Sequence, residues 1–400
     1  MKPDYPIEIQ TVLDRLHEAG HSAYIVGGAL RDALLGRAAH DWDVTTSARP
    51  EETERVFSSF RVIKTGIKHG TVTVMVGKMP VEITTFRIDG EYRDARHPEA
   101  VTFTDRVGED LARRDFTVNA MAYSPRDGLV DLFGGQEDLD RRIMRAVGAP
   151  ALRFSEDALR ILRAFRFMSK LDFDIDADTL SAARETRMGL LQVSAERITA
   201  ELCGLLEGRA PARALTAMVE NGIFEAIAPD FHPDAKGIAL VECMPCDFEL
   251  RMAAFLRYCG DKGESLLARL RLSNKSTSRI RTLLLLGDCS WPSLKEPYLR
   301  RLMAQAGRYA DDLIPLAAGG FFDLSTRGRR LVCERMKAIR ARGDCLSPKE
   351  LAVNGRHLIG VGFSGADVGR VLAALYEAVL DDPTQNQEDI LMQMAEKMRH

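Results

Sequence analysis

One stretch constrains this chain more than any other. It reads Val26-Gly27-Gly28-Ala29-Leu30-Arg31-Asp32-Ala33-Leu34-Leu35-Gly36, followed shortly by Asp41-Trp42-Asp43-Val44-Thr45. The apolar run Ala23 to Val26 predicts a strand that enters the glycine pair, and a short helix leaves it. Gly36 stops that helix as a left-handed cap would. A second strand then carries Asp41 and Asp43 on one face, because strand side chains alternate. Two carboxylates side by side repel unless a cation sits between them. Mg²⁺ suits that place, since it prefers oxygen ligands and leaves positions for substrate phosphates. The glycine pair has no side chains to obstruct approach, so its N–H groups and the helix start can face a triphosphate. Either feature alone reads as an ordinary turn or an acidic strand; in this order and spacing they point to nucleotide chemistry.

Length and composition set the frame. Four hundred residues exceed one hydrophobic core and predict two to four domains. Hydrophobic content of 46% with 28% charge describes a soluble globular chain. The opening Met1-Lys2-Pro3-Asp4-Tyr5-Pro6 is not a signal segment, and no apolar run spans a bilayer. A cytoplasmic protein without a membrane partner is expected. Seven scattered cysteines fit a reducing compartment. Cys243-Met244-Pro245-Cys246 has no second pair and reads as structural rather than zinc-binding. A net charge of −3 excludes indiscriminate nucleic-acid binding. RNA contact must come from local basic faces, such as Arg113-Arg114, Arg141 to Arg145, Arg153 to Arg166 and Arg327 to Arg342.

Along the chain, Ile7 to Gly20 predicts an amphipathic helix, and Arg49-Pro50-Glu51-Glu52 opens another that ends near Phe57. Thr71 to Val76 and Val81 to Thr85 alternate and predict a hairpin. Glu82 on its second strand is either a third acid near the metal or a surface carboxylate. Phe86 to Val101, which includes Arg87, Asp94 and Arg96, is polar and irregular and reads as a mobile lid loop. From about Arg141 the strand signals fade and helices dominate, so an α+β head precedes an all-helical remainder.

Ser155 predicts an N-cap, with Glu156 and Asp157 in the first turn of the helix it opens. Glu156, Arg160 and Arg163 then fall on one face, with Asp157 and Arg166 flanking it. Such a face is either an ion-paired helix surface or a base reader. Cytosine and adenine both present an amine donor beside a ring-nitrogen acceptor; uracil and guanine present the reverse. A carboxylate (Asp157) beside a guanidinium (Arg160) would therefore accept CTP and ATP and leave groups unpaired against UTP or GTP.

Taken together, these residues resemble the class II, bacterial-type CCA-adding tRNA nucleotidyltransferases and their relatives the bacterial poly(A) polymerases. The resemblance covers about residues 20 to 205. It rests on Gly27-Gly28, Arg31-Asp32, Asp41-x-Asp43, Arg113-Arg114-Asp115-Phe116-Thr117-x-Asn119-Ala120-Met121, Asp131 with Phe133-Gly134-Gly135 and Asp138-Leu139, Glu156-Asp157-x-x-Arg160, and Ser194-x-Glu196-Arg197-Ile198 with Glu201-Leu202. It implies a polymerase-β-like nucleotidyltransferase head with a mixed sheet (1–140), followed by an all-α neck that reads the base (141–205), a body (206–320) and a tRNA-binding tail (321–400). It implies that Asp41 and Asp43 are catalytic and hold Mg²⁺, and that Gly27, Gly28 and Arg31 contact the nucleotide phosphates. Arg114 would meet the ribose, with Asp115 and Asn119 in the same nucleotide site. Asp157 and Arg160 would template the base, with Glu156, Arg163 and Arg166 as further nucleotide contacts. Arg87 to Pro98 would be the loop that switches C to A addition. The implied substrates are CTP, ATP and tRNA; the alternatives are a poly(A) polymerase and a non-catalytic tRNA-binding protein. Arg327, Arg329, Arg330, Arg335, Arg340, Arg342, Arg356 and His357 are the tail's candidate phosphate contacts.

Overall fold

The computed structural model describes residues 3–64, 66–67, 70–89, 101–287 and 294–399, and the chain divides into two compact units, Met1–Pro229 and Asp230–His400. In the first, α1 (Ile7–Glu18) leads into β1 (Ala23–Val26), α2 (Gly27–Leu34), β2 (Asp43–Thr46) and α3 (Pro50–Val56). Strands β3 (Arg61–Ile63), β4 (Thr71–Val76), β5 (Met79–Thr85), β6 (Arg87–Asp89) and β7 (Val101–Phe103) follow. Then come α4 (Val107–Ala112), β8 (Met121–Ser124), β9 (Gly128–Asp131), α5 (Gly135–Arg141) and β10 (Ile143–Met144). α6 (Pro150–Glu156), α7 (Leu159–Leu171), β11 (Asp174–Ile175), α8 (Ala177–Thr186), α9 (Ala195–Leu206), α10 (Pro211–Glu220) and α11 (Ile223–Ile227) complete the unit.

Seven strands make one sheet in the order β3-β4-β5-β2-β1-β8-β9. Its neighbouring pairs are antiparallel except β2 with β5, so the sheet is mixed, as expected. β1 and β2 occupy its middle, which fixes the glycine pair and the aspartates to a rigid support. Ile9, Val12, Leu13 and Leu16 of α1 recur at helical spacing and are fully buried in the same core as Ile25 and Val44. The predicted β4–β5 hairpin forms, with β5 starting at Met79, so that the turn is Gly77-Lys78 and Gly77 takes a φ of 62°.

Three expectations need correction here. Asp41 lies in a bend ahead of β2, which begins only at Asp43. Phe86 to Val101 is not wholly irregular: Phe86 is fully buried against Tyr24, and Arg87–Asp89 pairs antiparallel with Val101–Phe103. The Arg87 N–H donates to Asp110 Oδ1 at 3.4 Å, while Asp94 and Arg96 lie outside the described residues. Strand pairing also persists past Arg141, since β10 and β11 pair in parallel over two residues.

The second unit is helical among its described residues, from Ala235–Glu242 to Glu388–Lys397. Arginines organise its interior. Arg279 bonds Asp247, Glu249 and Asp312, and buried Arg300 bonds Asp344 and the carbonyls of Leu380 and Asp381. The same habit occupies the basic helix Thr326–Arg342. Arg329 donates to Leu324 O, Arg335 to Leu294 O, and Arg330, Arg340 and Arg342 pair with Glu334, Asp311 and Glu296. His357 Nδ1 accepts the Asn354 N–H at the start of a short helix. Arg327 and Arg356 are exposed, so the tail's cationic face is narrower than its arginine count implies. No helix among the described residues is long and apolar enough to cross a membrane.

Candidate active site

The turn from β1 into α2 depends on Gly27. Val26 ends the strand extended, with φ −142°, and Gly27 then adopts φ +75°, a left-handed conformation that a side chain disfavours. A β-carbon there would also stand 3.5 Å from both Asp43 Oδ2 and Arg114 Nη1, so this backbone lies against the acids themselves. Alternation does the rest. Trp42 points into the core, where it is 4% exposed and meets Tyr5 edge-on at 6.3 Å. Asp41 and Asp43 both line the opposite side, a cavity of about 360 Å³ that also contains Gly27, Gly28 and Arg31.

The electrostatics of that cavity favour a cation. Burial pushes the Asp43 carboxyl up to about 6; the Glu82 charge adds to this, Arg114 opposes it, and Asp41 raises it further. Glu82 stands beside Asp43 in register on the parallel β2–β5 ladder. The acids form a pair rather than a cluster of three metal-ligating side chains among the described residues. Two carboxylates and open positions fit a hard divalent ion that shares its shell with phosphate oxygens.

Behind the acids stands a bonded network that no local pattern revealed. Arg31 is 2% exposed; its Nε and Nη2 donate to Asp32 Oδ1 at 2.9 and 2.8 Å, and its Nη1 to Asn119 Oδ1 at 2.8 Å. Asn119 Nδ2 donates to Asp115 Oδ1 at 3.1 Å, and Arg163 donates twice to Asp115 Oδ2, at 2.8 and 2.6 Å. Burial alone would raise the Asp115 pKa. The Arg163 charge, with hydrogen bonds from Asn119, Arg163 and the Phe116 N–H, outweighs it and holds the group at about 2. Arg31, Arg163 and Arg166 all lie over the Phe167 ring, at 5.2, 5.5 and 4.3 Å from its centroid. Phe167, Lys170 and His40 line the cavity and were not singled out by the sequence. The spacing of Arg163 and Arg166 around Phe167 was the available signal.

The motif residues between 110 and 138 act as clamps. Asp110 is fully buried and pairs with Arg113 at 2.8 Å and Arg114 at 3.3 Å. Burial would raise its pKa, but the two guanidiniums bring it below the usual range. Arg114 Nε is buried without a hydrogen-bond partner among the described residues. Asp131 accepts the Gly135 and Gln136 N–H groups at 2.8 Å, and Asp138 accepts the Thr117 hydroxyl at 2.7 Å. A β-carbon at Gly135 would overlap the Thr117 carbonyl oxygen. These contacts hold the turn that carries Asn119.

A second cavity, about 310 Å³, shares Arg114, Asp115 and Arg163 with the first and adds Asp157, Arg160 and Arg197. Ser155 is not its helix cap. Pro150 starts α6 early, Ser155 lies within it and donates to Leu152 O, and Glu156 is its last residue. The chain breaks at Asp157, whose Oδ1 accepts the Leu159 N–H at the start of α7. Its Oδ2 accepts from Arg197 at 2.7 Å. Arg160 is 8% exposed and bonds Glu156, Arg153 O and Arg113 O. Three of its five N–H groups are thus engaged. Asp157 and Arg160 line one cavity; the Arg160 N–H donates to Asp157 O at 3.0 Å, and their side chains form no pair with each other. Arg166 lines neither cavity; it pairs with Glu201.

The chain is similar to known families and proteins along its length. The Poly A polymerase head domain family matches residues 23–145, and the family described as the probable RNA and SrmB- binding site of polymerase A matches 172–234. A CCA-adding enzyme of Lactobacillus helveticus is 34% identical over 412 residues, covering 99% of this chain and 98% of that one. A CCA-adding enzyme of Streptococcus gordonii is 47% identical over 230 residues, so here the chain spans little more than half, 56%, of its relative's length. The crystal structure of the Bacillus stearothermophilus CCA-adding enzyme in complex with CTP superimposes with a TM-score of 0.82 at 33% identity, covering 100% of this chain and 98% of that one.

Proposed function

We propose a function from one premise: this chain belongs to the family of CCA-adding enzymes. It builds or repairs the 3′-terminal CCA of tRNA from CTP and ATP. The tRNA 3′-hydroxyl oxygen bonds to the α-phosphorus as the bond to pyrophosphate breaks. The observation that carries this reading is the joining of two cavities through Arg114, Asp115 and Arg163, one holding the acid pair and glycine turn, the other Asp157 and Arg160. Residues 1–140 form the catalytic head, 141–205 the base-reading neck, 206–320 the body and 321–400 the tRNA-binding tail. We take the cytoplasm to be where it works.

The family is metal-dependent. Asp41 and Asp43 would hold the metal, which we take to be Mg²⁺ from the all-oxygen donor set. Bound there, it supplies Lewis acidity toward the attacking hydroxyl and the departing phosphates. The Gly27-Gly28 backbone and the start of α2 seat the triphosphate, and Arg114, which lines both cavities, meets the ribose. Arg31 and Asn119 act one step behind, bonded to each other and fixing the floor of the site. The prealigned network leaves little to reorganise at the moment of reaction. The test is a tRNA lacking its last three nucleotides, incubated with CTP, with ATP, or with both, followed by 3′-end sequencing. CTP alone should give two Cs and the mixture CCA. Runs of A from ATP alone would assign the chain to poly(A) synthesis instead.

Base choice follows from Asp157 and Arg160. Arg197 and the Leu159 N–H hold the Asp157 carboxylate, which keeps acceptor capacity for an exocyclic amine. Arg160 retains N–H groups for the ring nitrogen. Asp157→Asn should therefore lower the ratio of kcat/KM for CTP over UTP by about tenfold, the worth of one mismatched buried hydrogen bond. An unchanged ratio would return the residue to a purely structural pairing with Arg197. Arg160→Ala is the less clean variant, because it also unties α6 from Arg113.

A further inference from the structure

The catalytic cavity has another neighbour, about 370 Å³, which it meets through Asp32, Ala38 and Lys170 rather than through the base pocket's wall. Nothing in nucleotide binding uses it. Arg37 enters it from the segment just past Gly36, Lys170 from the end of α7, and Arg209 from the turn between α9 and α10. Arg142, the left-handed cap of α5, is close enough to act on Arg37. Two carboxylates also line the cavity, Glu207 and Asp32, but Asp32 is already engaged by Arg31.

The positions are built rather than incidental. Ser169 O accepts the N–H groups of Arg209 and Ala210 at 2.9 and 3.0 Å, and the Ser169 hydroxyl donates to Leu205 O at 2.6 Å. A β-carbon at Gly208 would overlap Ser169, so the turn lies directly on α7. It presents Arg209 beside Lys170. Arg37 is anchored by its N–H on Asp32 O at 2.9 Å, and its guanidinium donates only a long bond to Leu171 O at 3.5 Å. Among the described residues, Arg37, Arg142, Lys170 and Arg209 form no ion pair with a carboxylate. Burial and the positive charges of Arg209, Arg31 and Arg142 lower the Arg37 pKa, with Asp32 opposing. Like charges kept together and unneutralised call for an anion.

Placement decides which anion. The glycine pair that seats the triphosphate is at the N-terminus of α2, and Arg37 follows its other end. Eight helical residues at 1.5 Å each separate them by about 12 Å. Of the two cavities, Arg37 and Arg209 line only the neighbouring one while Lys170 lines both, so an anion that meets all three extends past the catalytic cavity, as a polyanionic chain would. We infer that this cavity holds the phosphate backbone of the acceptor RNA near its 3′ end, with Arg37 and Arg209 contacting phosphates and Lys170 at the entrance to the catalytic cavity. The inference rests on reading the catalytic cavity as the nucleotidyl-transfer site.

Its test uses the full chain with Arg209→Glu and with Arg37→Ala/Arg209→Ala. CMP incorporation is measured with tRNA lacking its CCA, varying tRNA and CTP separately over a range of NaCl. KM for tRNA should rise about tenfold or more in both variants, with KM for CTP within about twofold, and the salt dependence should flatten by about 0.7 in log–log slope per lost phosphate contact. Circular dichroism and CTP titration establish that each variant is folded. An unchanged KM for tRNA in both variants overturns the inference. So does a raised KM for pyrophosphate in the reverse reaction with tRNA unaffected, which would make this the leaving-group site. If the unmodified chain transfers no nucleotide, the catalytic reading fails and this inference with it; active wild type with unaffected variants refutes the RNA path alone.

Discussion

Asp41→Asn and Asp43→Asn each abolish incorporation of both C and A, by about 10³-fold or more, in a chain that stays folded. Both additions use one acid pair, so neither nucleotide escapes the loss. The fold survives because the side chain that holds this segment is Trp42, packed in the core against Tyr5 on the opposite side. Asp43 stands in register with Glu82, and each removed charge relieves like-charge repulsion on that face. The thermal midpoint of either variant in chelator should therefore equal or exceed that of the wild type. A purely structural role for the pair would give the reverse result, lost stability with activity surviving in the folded fraction. Near-normal incorporation by either variant at ordinary Mg²⁺ would remove the D-x-D assignment.

What could be read in the sequence was what is local. Ala23 to Thr46 spans a strand, a left-handed turn, a helix and the next strand, and each step follows from neighbours a few residues apart. The same locality misled at Ser155. A good capping residue followed by two acids satisfied the rule, but Pro150 had already begun a helix five residues earlier, and Asp157 supplies the capping oxygen. The pairings that shape the site are long-range. Arg31 meets Asn119 across 88 residues, and Arg163 meets Asp115 across 48. No periodicity carries such information.

Arginine content was the least legible signal. Residues Arg327 to Arg342 looked like a phosphate-binding face, yet five of the arginines there bond carbonyls or carboxylates of the chain itself. Arg37 and Arg209, isolated in sequence and absent from every motif, form the unneutralised cluster beside the catalytic cavity. Composition counts charges; only the folded chain shows which are already matched.

Asp115→Ala should cost about 3 kcal/mol of stability, because it leaves Arg163 and Asn119 facing a buried position without their shared acceptor. Glu201, 3.8 Å from Arg163, compensates in part and keeps the loss at the lower end of the range for a broken buried pair. The pH dependence identifies the cause. Asp115 is held at about 2 in the folded chain, against 3.8 for the ordinary group. Its contribution is therefore complete above pH ~5 and disappears as the pH falls through about 2, amounting to about 2 kcal/mol. Wild type and variant should differ most at neutral pH and converge on acidification. Urea unfolding followed through Trp42, in a Trp291→Phe background so that the buried Trp42 reports on the first unit alone, measures both curves. Curves that stay parallel from pH 6 to pH 2.5 would mean that the lost stability comes from packing rather than from the ion pair. Because Arg163 and Asn119 line the catalytic cavity, the same variant should raise KM for both CTP and ATP even where it remains folded. The pair thus connects the stability of the first unit to the shape of the nucleotide site.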